Sequence, residues 1–157
     1  MNAGLQEIRR STLPPDEYIN SLEEPFRANF LDRKKTYRLS QDATDQIRKR
    51  KGDFVVVAFS AQWCKDCATS IPVLALISEA TDLEVRIFGG LKKDPLSRTR
   101  KWRIPPSPPE VETFHVDKLP TIVVLDRNGS EIGRVVENPR MTPTLEQELW
   151  EIIKSRP

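Results

Sequence analysis

The pattern of hydrophobic and polar positions changes about a third of the way along this 157-residue chain. The residues before that point are mostly polar and show no strand pattern. They predict one helix over residues 14–30, interrupted at Pro25, and a second over residues 41–51. We therefore predict a helical N-terminal extension at 1–52, followed by a domain at 53–157.

An unbroken apolar run opens the second part of the chain, where residues 54–59 read FVVVAF. β-Branched and aromatic residues without alternation are typical of a strand that is buried on both faces, as in a parallel sheet. Apolar residues then recur at helical spacing between 71 and 77, and residues 83–88 (LEVRIF) predict another strand. Strand, helix and strand in this order predict a right-handed βαβ unit.

The segment at about 90–118 is predicted to be an insertion in this domain. Within it, Asp94 and Pro95 fit the N-cap and the first position of a short helix that we predict to reach about Trp102. Residues 105–109 (PPSPP) are too stiff and too poor in backbone donors for a helix or a central strand.

The last part of the chain predicts a hairpin and a helix. Residues 121–125 and 132–136 predict two antiparallel strands joined by a turn at Asn128-Gly129. A final helix is predicted to begin at Thr144, whose side chain can form a capping box with Gln147. The resulting order, βαβαββα, describes an α/β fold with a central mixed sheet and helices on both faces.

Composition and charge exclude several classes of protein. A hydrophobic content of 38% and a charged content of 31% are those of a soluble globular protein, and a net charge of +2 does not by itself indicate a polyanionic partner. We interpret the basic runs at 33–35, 48–51 and 98–103 as solvated surfaces. No apolar run reaches the ~18 residues of a membrane span, and the N-terminus lacks the apolar core of a secretory signal. We therefore expect a cytoplasmic monomer with no nucleic-acid or membrane partner.

Residues 63–67 read WCKDC and contain the only two cysteines of the chain. Cys64 follows a strand where a helix begins, and the unpaired N–H groups and dipole of a helix start favour its thiolate. The charge of Lys65 acts in the same direction, and that of Asp66 acts against it. Cys67 lies one turn further on, close enough for the two sulfurs to bond. In such a pair the Cys64 thiolate attacks a disulfide, and Cys67 then resolves the mixed disulfide.

Three other roles of this pair remain open. A closed zinc site needs four ligands, so the only histidine, His115, and a carboxylate would have to join the two thiolates. Two chains could instead share a metal or cluster. A purely structural disulfide would close a very short loop and constrain the unfolded chain little. The strand-to-helix junction favours redox chemistry, with the Cys64–Cys67 disulfide as the redox group and no metal or other cofactor.

Several motifs together carry a resemblance to a known family. The strand leading into WCKDC, Pro72 five positions after the second cysteine, and Leu119-Pro120-Thr121 before the next strand occur in this order. With the hairpin that follows, they make residues 52–155 resemble the thioredoxin superfamily. The resemblance implies a thioredoxin-like three-layer sandwich.

The resemblance also implies roles for residues outside the cysteine pair. Pro120 is expected to follow a cis peptide bond and to lie against the redox-active disulfide. The backbone just before it, at Leu119, is expected to pair with a bound substrate chain. Trp63 is expected to cover the disulfide and to offer partners a flat apolar surface.

The sequence departs from the family pattern in two places. Thioredoxins carry a buried acid six residues before the first cysteine, where this chain has Ala58. We therefore expect either Asp66 or water to handle the proton of Cys67. The second departure is the insertion at about 90–118, which we expect to border the active site. The motif WCxDC itself resembles that of thioredoxin-related proteins rather than that of ordinary thioredoxins.

These observations predict a thiol-disulfide oxidoreductase that reduces protein or small-molecule disulfides. Its partners would be disulfide-containing protein substrates and a reductase that recycles it. The alternatives are a thioredoxin-fold adaptor or chaperone module, although an adaptor needs neither cysteine, and a metal- or cluster-binding CxxC protein.

Overall fold

A computed structural model of the protein describes residues 4–97, 101–102 and 105–157. Its centre is a four-stranded sheet in the order β2-β1-β3-β4. Strand β2 runs parallel to β1, whereas β3 is antiparallel to β1 and β4 is antiparallel to β3. The strands are β1 (Phe54–Phe59), β2 (Glu84–Phe88), β3 (Thr121–Asp126) and β4 (Glu131–Val136).

The central strands carry the core. Every residue of β1 is buried, and so are the first five residues of β3. An apolar run without alternation fits this position because both faces of the strand are covered. Thr121 pairs with Phe59, so the residues just before β3 lie beside the residues just after β1. This register sets the geometry of the site described below.

Helices cover both sides of the sheet, which confirms the predicted α/β class. Helix α5 (Lys65–Thr81) follows β1, and helix α7 (Leu145–Lys154) ends the chain. The Thr144 hydroxyl accepts a hydrogen bond from the backbone N–H of Gln147 at 3.2 Å, as the predicted cap requires. Helix α7 packs closely on β4 at Gly133. A Cβ atom at this position would lie only 2.7 Å from the Ile152 side chain.

The N-terminal residues form four helices that pack on this core. They are α1 (Leu5–Ser11), α2 (Pro15–Asn20), α3 (Phe26–Thr36) and α4 (Gln41–Arg50), followed by a short 3-10 helix at Lys51–Asp53. The break predicted at Pro25 separates α2 from α3, because proline cannot continue a hydrogen-bonded helix. Helix α1 is not predicted by the hydrophobic pattern.

The segment around α1 is bound to the edge of the sheet. Leu13 forms a two-way backbone bridge with Ile87 of β2, at 3.1 and 2.8 Å. The Arg86 guanidinium donates to the Thr12 hydroxyl and carbonyl, both at 2.8 Å. A bidentate ion pair joins Arg9 to Glu84 at 2.8 Å. These contacts cover an edge that would otherwise expose unpaired backbone groups.

The short helix predicted from Asp94 to Trp102 is wrong for the residues of that segment that the structure describes. The Asp94 side chain accepts from the Leu96 N–H at 3.0 Å, which is the contact that an N-cap makes, and the Asp94 N–H donates to the Lys101 carbonyl. Residues 95–96 and 101–102 nevertheless form turns and not a helix. The helix of this region is α6 (Glu110–Thr113), after the proline-rich residues.

Two of the three basic runs are engaged in surface contacts. Lys34 pairs with Asp16 and Glu79, and Arg48 pairs with Asp45. Most of the third run, at 98–103, lies outside the described residues. Of the helices in the described ranges, none combines the length and the apolar character that crossing a membrane requires.

Candidate active site

Cys64 is the N-cap of helix α5, directly after the turn that follows β1. Its sulfur accepts a hydrogen bond from the backbone N–H of Cys67 at 3.2 Å. Both cysteines carry free thiols, with Cys64 partly exposed and Cys67 buried. The helix start therefore directs an otherwise unpaired backbone donor at the sulfur of Cys64.

The surroundings of Cys64 favour its thiolate. A hydrogen bond from the Cys67 thiol is the main cause that lowers the pKa of Cys64 to about 7. The backbone N–H groups of Cys67 and Asp66 act in the same direction, whereas partial burial and the charge of Asp66 oppose it. Cys64 is therefore the more acidic of the two thiols.

Cys67 has the opposite environment. Its side chain has no solvent exposure, and this burial raises the pKa of its thiol. The neighbouring Cys64 raises that pKa further, because two thiolates side by side repel each other. Cys64 is thus partly open to solvent, whereas Cys67 is not.

The loop before β3 contacts Cys64. The Leu119 carbonyl accepts a hydrogen bond from the Cys64 thiol at 3.6 Å, and the Leu119–Pro120 peptide bond is cis. The Pro120 carbonyl accepts from the Glu137 N–H at 2.8 Å, which ties the loop to the residue after β4. Leu119 and Pro120 are both buried.

Trp63 is the most prominent exposed side chain of the site, at 54% exposure. Its ring stacks on Trp102, with ring centroids 5.9 Å apart and planes inclined by 26°. Trp102 is buried and donates its indole N–H to the Asp117 carbonyl at 2.8 Å. The insertion therefore borders the active site through Trp102.

The remaining predicted residues lie at the surface. Lys65 is exposed, and Asp66 is half-buried in the first turn of α5. His115 is exposed and adopts a positive φ of 53° in the turn after α6. Across the described ranges, no cluster of three or more His, Cys, Asp or Glu side chains is arranged to hold a metal ion.

Two buried hydroxyl groups near Cys67 are absent from the sequence prediction. The Tyr18 and Ser60 side chains share a hydrogen bond of 2.9 Å, although 42 residues separate them along the chain. Tyr18 belongs to α2, and Ser60 directly follows β1. No local pattern connects these positions, so the contact becomes visible only in the folded chain.

Trp63 stands between two cavities. One of about 480 Å³ is lined by Trp63, Tyr18 and Gly89, among others. The second, of about 430 Å³, lies on the side of α3 and is lined by Phe26, Trp63 and Cys64, among others. Both volumes are in the range of small-ligand sites.

A mixed four-stranded sheet with a CxxC dithiol at a helix start defines a class of thiol redox protein with a thioredoxin-like fold. A model of the thioredoxin family matches residues 12–149. The chain belongs to this family. No curated protein matches the sequence.

Several solved structures are similar to this chain at low identity. A protein of unknown function from Pseudomonas aeruginosa is 16% identical with a TM-score of 0.65, and the match covers 98% of this chain and 94% of that one. An HIV epitope scaffold is 13% identical with a TM-score of 0.67 at the same coverage. Reduced thioredoxin pre-protein from Schistosoma mansoni is 20% identical over 76% of this chain and 93% of that one, with a TM-score of 0.43.

Proposed function

We propose that the protein is a thiol-disulfide oxidoreductase that reduces disulfides of proteins or small molecules by dithiol exchange. The observation that supports this most directly is the contrast between the two thiols. Cys64 is partly exposed with a pKa lowered to about 7, and Cys67 is sealed beside it. Such a pair is suited to sequential attack, first by the outer sulfur and then by the inner one.

In the first step the Cys64 thiolate attacks one sulfur of the substrate disulfide. A mixed disulfide forms between Cys64 and that sulfur, and the other substrate sulfur leaves as a thiolate. We expect the Leu119 backbone and the exposed face of Trp63 to hold the substrate chain, because the Leu119 carbonyl contacts the Cys64 sulfur and Trp63 directly precedes Cys64.

In the second step Cys67 loses its proton and attacks the sulfur of Cys64. The Cys64–substrate bond breaks, the second substrate sulfur leaves as a thiolate, and a Cys64–Cys67 disulfide remains. The substrate has gained two electrons and the protein has lost two. A partner reductase must then return two electrons and two protons to the pair.

The reducing direction is proposed from the expected cytoplasmic location, where thiols are kept reduced. From the aspartate of WCKDC, we propose that the protein is related to the thioredoxin-related proteins that carry WCxDC. We propose that it works as a monomer and that the disulfide is its redox group.

Equilibration in graded thiol–disulfide buffers, followed by alkylation and mass measurement, tests the proposal. We expect a reversible two-electron transition of Cys64 and Cys67 near the thioredoxin value of about −270 mV. A transition above about −180 mV would indicate an oxidant or isomerase instead. The variants Cys64→Ser and Cys67→Ser serve as controls and should show no intramolecular transition. Absence of any reversible transition in the wild type would overturn the proposal.

A further inference from the structure

The resolving step requires a stabilised thiolate at Cys67. This thiol must become a thiolate to attack, yet its side chain is fully buried and burial raises its pKa. A buried thiolate needs hydrogen-bond donors in place of water. Ala58, which precedes the site in β1, is buried and offers no polar side chain, and Asp66 acts chiefly on Cys64, whose pKa it raises.

Ser60 and Tyr18 supply polar groups at the required place. The Ser60 side chain is fully buried and contributes a hydrogen bond to the Cys67 thiol that lowers its pKa, against the larger opposing effect of burial. The Tyr18 hydroxyl lies 2.9 Å from the Ser60 hydroxyl, and Tyr18 is only 4% exposed. The hydrogen-bonded Tyr18–Ser60 pair is therefore buried close to the Cys67 side chain.

The surrounding structure holds Tyr18 in this position. A Cβ atom at residue 89 would lie 2.7 Å from Tyr18 Cε1, so the glycine at that position makes room for the ring. Phe30 packs edge-on against the ring, with centroids 6.2 Å apart. Burial raises the pKa of the Tyr18 hydroxyl, so this group stays protonated and can donate.

We propose that Tyr18 and Ser60 form a hydrogen-bond chain that stabilises the Cys67 thiolate during the resolving step. The proposal rests on the disulfide-exchange function proposed above. Tyr18 donates to the Ser60 oxygen, and Ser60 donates to the Cys67 sulfur. Donors in such a chain polarise one another, and a bond to a charged acceptor is the stronger kind.

The chemistry of the step balances without an additional reactant. The Cys67 thiolate attacks Cys64, the Cys64–substrate bond breaks, and the substrate leaves as a thiolate. The proton released by Cys67 ends on that thiolate or, where the leaving thiol is acidic, on the buffer. In this proposal Ser60 is the group that contacts the reacting sulfur, and Tyr18 is a positioning residue that acts through Ser60.

The proposal gives the N-terminal extension a part in the active site. Tyr18 lies in α2, whereas Ser60 and Cys67 belong to the βαβ unit. Among the described residues, Cys64 also raises the pKa of Cys67, and the charge of the adjacent Asp66 acts on the pKa of Cys64.

A single-turnover reaction with one equivalent of dithiobis(nitrobenzoate) separates the two steps. Attack by Cys64 releases one coloured thiolate, and attack by Cys67 releases the second. In Tyr18→Phe and Ser60→Ala we expect the first release to stay within about twofold of wild type. The second should slow about tenfold, because a hydrogen bond to a charged group is lost, and its pH midpoint should rise. Because the two groups act in series, the double variant should be no slower than the slower single variant.

The matched control is Tyr37→Phe, which also removes a tyrosine hydroxyl but one that donates to Glu146 on α7. It should leave both phases unchanged. The proposed hydrogen-bond chain would be overturned if the rate of the second release stayed within twofold of wild type in both Tyr18→Phe and Ser60→Ala. It would also be overturned if the first and second releases slowed equally. If Tyr18→Phe does not fold by circular dichroism, the Ser60→Ala phases decide. Absence of the first release in wild type would instead overturn the proposed function.

Discussion

Trp102 stacks on Trp63 at a centroid distance of 5.9 Å, which joins the insertion to the residue that precedes the first cysteine. Trp102 is buried and its indole N–H is bound to the Asp117 carbonyl, so it is the fixed member of the pair. Trp63 is the exposed member, and it separates the two cavities of the site. The insertion therefore supports the exposed surface at Trp63.

Replacing Trp102 with alanine should affect large substrates more than small ones. An aromatic pair contributes about 1 kcal/mol beyond its buried area, so loss of the stacking should free Trp63 and lower kcat/KM for a protein disulfide about fivefold. The rate with dithiobis(nitrobenzoate) should change less than twofold. Trp150→Ala, on the distant helix α7, is the control. An equal decrease for both substrates would contradict this role of Trp102.

The ionisation of Cys64 should depend on a donor at position 67. In wild type, the rate of iodoacetamide alkylation of Cys64 should rise with pH through a midpoint of about 7. Cys67→Ala removes the thiol that is the main cause of the lowered pKa, so the midpoint should move up towards the ordinary thiol value of about 8.5.

Cys67→Ser is the matched control for this measurement because its hydroxyl keeps a donor. Its midpoint should stay closer to that of wild type. Equal midpoints in the alanine variant and wild type would show that the helix start alone sets the pKa of Cys64.

Asp66→Asn should make Cys64 more acidic. The negative charge of Asp66 raises the pKa of Cys64, so its removal should lower the alkylation midpoint and increase the first-step rate below pH 7. We expect the resolving rate to remain unchanged across pH, because Ser60 rather than Asp66 is among the groups that act on the pKa of the Cys67 thiol. Slower resolution in this variant would assign proton handling to Asp66 instead.

The contact between the extension and α7 should contribute strongly to stability. The Glu146 carboxylate is fully buried and accepts from the Tyr37 hydroxyl at 2.8 Å and from the Ser40 N–H at 2.7 Å. Glu146→Ala leaves these donors without their partner and should lower the free energy of unfolding by about 2 kcal/mol or more, measured in urea. The exposed Glu151→Ala should change it by less than about 0.5 kcal/mol. Similar losses in both variants would contradict the prediction.

Local chemistry explains which parts of the fold were predictable. The FVVVAF run becomes β1, because a strand of apolar residues alone can be buried on both faces. Asn128-Gly129 forms the turn before β4, where Gly129 has a positive φ of 82° that glycine adopts without strain. Thr144 caps α7 through a side chain that reaches only to Gln147. Each of these signals acts within a few residues.

The same local rules give wrong predictions where contacts between residues distant in sequence compete with them. Asp94 and Pro95 resemble a helix start, but the Asp94 N–H donates to Lys101 and closes a loop instead. Helix α1, in contrast, forms although the sequence pattern does not predict it. Its seven residues carry one buried apolar side chain, Ile8. It is held by the Arg9–Glu84 pair and by Arg86, across more than 70 residues of sequence. Hydrophobic periodicity contains no information about such partners.

The sequence by itself determined the order of the four strands and the position of Cys64 at a helix start, because both depend on residues that are neighbours along the chain. The tertiary structure alone decided which side chains surround Cys64 and Cys67. Tyr18 reaches Ser60 from 42 residues away, and Trp102 reaches Trp63 from the insertion. Both contacts exist because packing the extension and the insertion on the sheet buries their aromatic side chains, and burial selects partners by shape and hydrogen bonding rather than by distance along the chain.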